Sequence, residues 1–130
     1  MLDEYTLPKL IVIDDEPDMA RLISDVADIS GYEVGQYFDA RIFISEFKDD
    51  ADIIFLDLVM PDMSGMDVIR FLAEHKARSR LILMTGFDTH VLQEARELAV
   101  SSGLNFISAF KKPFRFDELH AMLNQLKTVR

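Results

Sequence analysis

Three short runs in the chain are apolar at every position: Leu10-Ile11-Val12-Ile13, Ile53-Ile54-Phe55-Leu56 and Leu81-Ile82-Leu83-Met84. Continuous apolarity of this length, without polar alternation, predicts strands covered by helices on both sheet faces. Two weaker strands are predicted over Tyr32 to Phe38 and over Asn105 to Phe110, the second drawing its apolar content from Phe106, Ile107, Ala109 and Phe110. Between the runs the period changes to that of a helix. Met19, Leu22, Ile23, Val26 and Ile29 recur at spacings of three and four, after Pro17 at a first-turn position and before Gly31 at a stop. Leu92, Ala95, Leu98 and Ala99 repeat this ahead of Gly103, as do Phe116, Leu119, Leu123 and Leu126 at the end. Ile69, Leu72 and Ala73 predict a helix beginning near Gly65, and Phe43 with Phe47 a shorter one after Asp39. Strand and helix thus alternate five times. That order predicts an α/β fold with right-handed crossovers and a five-stranded, parallel, doubly wound sheet. Strand order 2-1-3-4-5 suits five strands. No repeat, low-complexity tract or linker divides the chain, so residues 1–130 are expected to form one domain.

With 130 residues, 49% of them hydrophobic, the chain has material for one real core. Its 14 Lys and Arg against 23 Asp and Glu leave a net charge of −9, which repels a nucleic-acid backbone or an anionic membrane and argues against direct binding to either. Without cysteine, a disulfide framework, a thiolate nucleophile and Cys-based metal sites are excluded. His75, His90 and His120 are scattered singly, a poor basis for a His metal site or a Ser/His/Asp triad. The apolar runs are too short for a membrane span, and the acidic start lacks the apolar segment of a signal peptide.

Chemistry concentrates where the topology predicts a crevice, outside the carboxyl ends of the strands at the point where strand order reverses. Strand 1 ends in Asp14-Asp15 and strand 3 in Asp57, so three carboxylates from distant segments should meet. Strand 4 ends in Thr85-Gly86, and strand 5 runs into Lys111-Lys112-Pro113. With strands about 4.8 Å apart, a short hydroxyl suits the strand beside Asp57 and a long side chain the strand beyond it. Three carboxylates in one crevice raise each other's pKa unless a cation neutralises them. Oxygen ligands of this kind suit Mg²⁺. A divalent ion, an ammonium and a hydroxyl form an electropositive clamp for the oxygens of a phosphoryl group, with Asp57 as the attacking carboxylate. Strand alternation lets only one of Lys111 and Lys112 face the site.

Asp14-Asp15, the run Asp57-Leu-Val-Met-Pro-Asp-Met-Ser-Gly65, Thr85-Gly86 and Lys112-Pro113-Phe114 together resemble the receiver domain of two-component response regulators, over roughly Leu10 to Leu126. The resemblance implies a flavodoxin-like (βα)5 fold and a phosphorylation-dependent switch in the cytoplasm. It implies phosphotransfer to Asp57 from a partner histidine kinase or phosphotransfer protein, with Mg²⁺ held through Asp14, Asp15, Asp57 and the backbone carbonyl of Val59. It further implies phosphate contacts from Thr85 and Lys112, the latter preferred over Lys111. The surface expected to change is that of helix 4, strand 5 and helix 5, acting on an output domain, a partner protein or a second copy in a homodimer. No catalytic activity is implied beyond the domain's own phosphotransfer and dephosphorylation. One departure is that Ala109 stands three residues before the lysine, where receivers often carry a Tyr or Phe that reports phosphorylation. More loosely, Gly103 to Phe114 resembles receivers that precede EAL-type cyclic dinucleotide phosphodiesterase domains.

Other readings fit less well. In phosphatases of the haloacid dehalogenase type the nucleophile ends the first strand and the acidic pair comes late, whereas here the pair comes first. An FMN carrier of flavodoxin type needs a phosphate-cradling first loop, which Asp14-Asp15-Glu16-Pro17-Asp18 would repel. Neither a Gly-rich dinucleotide loop nor a P-loop lysine is present. A docking module that is never phosphorylated would not need this full set of chemical groups. Glu16 and Asp18 read as charges at a helix N-terminus, and Pro61 and Gly65 as loop and helix-start residues.

Overall fold

The computed structural model describes residues 7–86 and 89–129. Five strands and five helices alternate: β1 (Lys9–Ile13), α1 (Pro17–Ile29), β2 (Glu33–Tyr37), α2 (Ala40–Ser45), β3 (Ile53–Asp57), α3 (Gly65–Glu74), β4 (Arg80–Thr85), α4 (Thr89–Ser101), β5 (Asn105–Lys111) and α5 (Phe116–Val129). All strands are parallel, in the order β2-β1-β3-β4-β5, as predicted. Among the described residues no helix is long and apolar enough to cross a membrane.

Strand periodicity sorts the core into two layers. Ile11, Ile13, Ile54, Leu56, Leu81 and Leu83 face α2, α3 and α4, where Phe43, Val68, Ile69, Leu72, Ala95 and Ala99 close over them. The intervening Leu10, Val12, Ile53, Phe55, Ile82 and Met84 face α1 and α5 and meet Ala20, Ile23, Val26, Ala27, Leu119 and Leu123. Each central strand is therefore buried on both faces, which is why its sequence carries no polar alternation.

Three local features differ from the sequence expectation. Ile29 is 64% exposed, because the buried face of α1 runs through Ala20, Ile23, Ser24 and Ala27, and Ile29 lies off that stripe. α2 ends at Ser45, so Phe47 reaches the core from the following loop, edge-on to Phe43 and Phe71. β5 carries a bulge: Phe106 pairs with Leu81 and Ser108 with Ile82, leaving Ile107 as an extra residue. Phe106 and Ala109 consequently share the α2-to-α4 layer, while Ile107 and Phe110 share the other.

Candidate functional site

β1 and β3 lie side by side, and their carboxyl ends deliver Asp14 and Asp57 to the same edge of the sheet. Both follow residues of the α2-to-α4 layer, Ile13 and Leu56, so alternation turns both towards the α1 and α5 side. They are 0% and 2% exposed. The bulge in β5 gives Lys112 the same phase. Its Nζ donates to Asp14 Oδ2 at 3.0 Å and to Glu16 Oε1 at 2.7 Å, and lies 3.4 Å from Asp57 Oδ2. Lys111 is exposed and points elsewhere, so the lysine facing the crevice is the expected one.

The surrounding loops fix these groups. Asp14 Oδ1 accepts from the Glu16 backbone N–H at 2.9 Å, and Asp57 Oδ1 from that of Val59 at 3.3 Å. The Leu58 N–H donates to the Met84 carbonyl, and the Gly65 N–H to the Leu58 carbonyl, folding the segment after Asp57 back on itself. Gly65 is required there: a Cβ would stand 2.6 Å from Leu58 Cα and 2.9 Å from the Asp57 carbonyl oxygen. α3 then starts on a capping box in which Ser64 and Asp67 satisfy each other's backbone N–H groups. The Lys112 N–H donates to the Thr85 carbonyl at 2.7 Å, tying the ends of β4 and β5 together. Thr85 is wholly buried, and among the described residues its Oγ1 has no hydrogen-bond partner. A buried hydroxyl left in this way costs free energy unless a ligand satisfies it.

Above these groups opens a cleft of about 400 Å³, lined by Asp15, Glu16, Met19, Asp57, Val59, Gly86, Lys112 and Pro113. Its electrostatics are strained. Burial, reinforced by the neighbouring Asp14 carboxylate and only partly opposed by Lys112, pushes the Asp57 carboxyl up from 3.8 to about 7. Burial alone would lower the Lys112 ammonium, but its bonds to Glu16 and Asp14 and the charge of Asp57 outweigh that and hold it above its ordinary value. Asp14, Glu16 and Asp57 bring carboxylate oxygens within 4.8 Å of one another. Such an oxygen-only donor set fits a hard divalent cation such as Mg²⁺.

Asp14, Asp57 and Lys112 thus converge, with Thr85 at the end of the adjoining strand. Asp15 and Val59 line the cleft mouth, Val59 being half exposed. Glu16 is the member that sequence reasoning missed. An acidic residue beside Pro17 reads as a helix-start charge, yet as the N-cap of α1 it makes no side-chain cap. Its carboxylate turns instead to an ammonium 96 residues away. Ala109 in β5 packs on the α2-to-α4 layer. Phe87, which follows the crevice threonine by two residues, lies outside the described residues.

The architecture is shared with known proteins. A response regulator from Colwellia psychrerythraea superposes with a TM-score of 0.85 at 36% identity, covering 96% of this chain and all of that one. The response regulator TrrA from Thermotoga maritima, solved in complex with Mg²⁺-BeF, superposes at 0.75 with 25% identity over 92% of this chain and 99% of that one. The response regulator SaeR of Staphylococcus aureus is 27% identical over 92% of this chain and 50% of its own length. The chain spans between 24% and 50% of the curated relatives it matches first. The model of the response regulator receiver domain matches residues 10–124, and the chain therefore belongs to the receiver domains of two-component response regulators, which are signalling domains.

Proposed function

We propose that this receiver domain, taken as residues 1–130, is a phosphorylation-dependent switch with Asp57 as its phosphoacceptor. The observation that carries the reading is the buried Asp57 carboxylate at the floor of an open cleft, 3.4 Å from a buried ammonium. In the reaction an Asp57 oxygen attacks the phosphorus of a phosphohistidine on a sensor kinase or phosphotransfer protein. The new oxygen–phosphorus bond forms as the nitrogen–phosphorus bond breaks, and the donor imidazole keeps the electron pair. Asp14, Asp15, Asp57 and the Val59 carbonyl would hold Mg²⁺, which would supply positive charge to the carboxylates and the entering oxygens. Lys112, 3.4 Å from Asp57, offers an N–H to the phosphoryl group, and the buried Thr85 hydroxyl gains an acceptor.

A phosphoryl group adds about −1.5 to −2 charges. Thr85 and Lys112 are its nearest donors, so the ends of β4 and β5 are drawn in and the surface of α4, β5 and α5 changes. With Ala109 in β5, the signal travels by backbone and loop displacement. That surface controls an output domain or partner protein, and the setting is the cytoplasm. The test is incubation with acetyl phosphate and Mg²⁺, followed by intact mass. One added phosphoryl group on the wild type, absent from Asp57→Asn, is the expected result. No mass gain with active phosphodonor, or equal gain in the variant, overturns the assignment.

A further inference from the structure

Lys112 holds the whole acidic crevice together, and its three partners are not equivalent. An ammonium has three N–H donors, and here they face Asp14, Glu16 and Asp57 at 3.0, 2.7 and 3.4 Å. Asp14 and Asp57 are buried, and the Lys112 side chain is only 6% exposed. Glu16, its shortest partner, is 64% exposed. The three carboxylates that neutralise Lys112 are the same three that bring oxygens within 4.8 Å of one another as candidate ligands for a divalent ion.

An ion that takes Asp14 and Asp57 therefore removes two of the ammonium's partners and sets like charges against each other in a crevice. Lys112 then needs another carboxylate, since an unpaired buried cation is costly. Glu16 can provide one cheaply. Its outward-facing chain has room to move, and it stands at the mouth of the cleft above Asp57. We propose that Glu16 is a positioning residue that holds the Lys112 ammonium when a divalent ion occupies the acidic pair, so that ion and lysine reside in the crevice together. This rests on the function proposed above. Without Glu16, Lys112 stays on Asp14 and Asp57 and competes with the ion.

Calorimetric titration with Mg²⁺ of the wild type, Glu16→Gln, Lys112→Gln and the double variant tests this. Glu16→Gln should weaken Mg²⁺ binding by about tenfold when Lys112 is present, a coupling in the range seen within one ion-pair network. In the Lys112→Gln background the same change should have little effect, and Lys112→Gln alone should tighten binding. An equal loss in both backgrounds would make Glu16 a direct ligand or a distant charge, and overturns the proposal, as does no loss in either. Should Lys112→Gln not fold, nuclear Overhauser contacts in the wild type decide. Contacts from the Lys112 ε-methylene to Glu16 should persist on saturation with Mg²⁺ while those to Asp14 fade, and loss of the Glu16 contact overturns the idea. A wild type that neither binds Mg²⁺ nor gains mass from acetyl phosphate removes the functional reading itself. Binding and phosphorylation without the coupling remove only the role of Glu16.

Discussion

Asp57→Asn should make the protein more stable at neutral pH while abolishing phosphorylation. Burial and the Asp14 charge raise the Asp57 carboxyl from 3.8 to about 7. Between those values the folded protein keeps a proton that the unfolded chain has released, so stability falls as pH rises through the window. Above pH 7 the deficit is complete. At about 1.4 kcal/mol per pH unit, a rise from 3.8 to about 7 sets an upper bound of about 4 kcal/mol. The amide carries no charge and escapes this cost; the opposing attraction of Lys112 is already part of the shift, and Lys112 keeps its hydrogen bonds to Asp14 and Glu16. Because Asp57 borders an open cleft where solvent screens its charge, about half of that bound is expected, about 2 kcal/mol at pH 8, or about 6–10 °C in melting temperature for a domain of this size. Urea and thermal unfolding of both proteins at pH 5 and pH 8, without Mg²⁺, provide the assay. At pH 5 only about a third of the window between 3.8 and about 7 has been crossed, so the gap between the two curves should be about a third of that at pH 8. Added Mg²⁺ at pH 8 should narrow the gap by stabilising the wild type more. A variant less stable than wild type at pH 8, or a gain independent of pH, would refute the view that Asp57 is held under electrostatic strain.

Mg²⁺ should raise the melting temperature of the wild type more than that of Asp15→Asn, because binding to the native state stabilises it by mass action; equal shifts would count against the metal assignment. Gly65→Ala forces a Cβ against Leu58 and the Asp57 carbonyl, so it should cost about 1–3 kcal/mol in urea unfolding and slow phosphorylation by acetyl phosphate. A loss below about 0.5 kcal/mol, the range of ordinary surface substitutions, would show that the loop can yield. With beryllofluoride, amide exchange should change around the ends of β4 and β5 and along α4 and α5; changes confined to α1 and α2 would contradict the proposed output surface. The phosphorylated state should be long-lived: the side chains that would orient a hydrolytic water are those two residues after Asp57 and two after Thr85, and Val59 and Phe87 carry no group that can hold or deprotonate one, whereas a positioned acid or base contributes about 10²–10⁴ in rate. Val59→Asn with Phe87→Glu should shorten its lifetime, and a wild type that loses phosphate as fast as that double variant would exclude this cause.

Much of this was legible in the sequence, for identifiable reasons. β1, β3 and β4 announced themselves because both of their faces are buried, and Asp14, Asp57 and Thr85 followed from the ends of those strands. β2 sits at the edge of the sheet with its residues half covered, and its pattern was correspondingly weak. Ile29 and Phe47 misled because apolar spacing alone cannot show where a helix stops facing the core. Glu16 escaped because its partner is remote in sequence. Strict alternation counted from Phe106 would have aimed Lys111 at the carboxylates, and only the bulge at Ile107 brings Lys112 there. The adjacent proline and the family pattern supplied what periodicity could not.

That bulge also fixes how the chain tolerates a change in its length. β5 contains one residue more than its ladder with β4 requires, so the strand carries slack. Deleting Ile107 would let Phe106 and Ser108 pair consecutively with Leu81 and Ile82, leaving Ala109, Phe110, Lys111 and Lys112 at their present heights and on their present faces. The loss would be one apolar side chain from the α1 and α5 layer. A second deletion would find no slack. The strand would have to slip by one residue, its faces would exchange, and Lys112 would leave the carboxylates for the opposite side of the sheet. Descendants of this sequence can therefore shorten β5 once without losing the crevice lysine, and not twice.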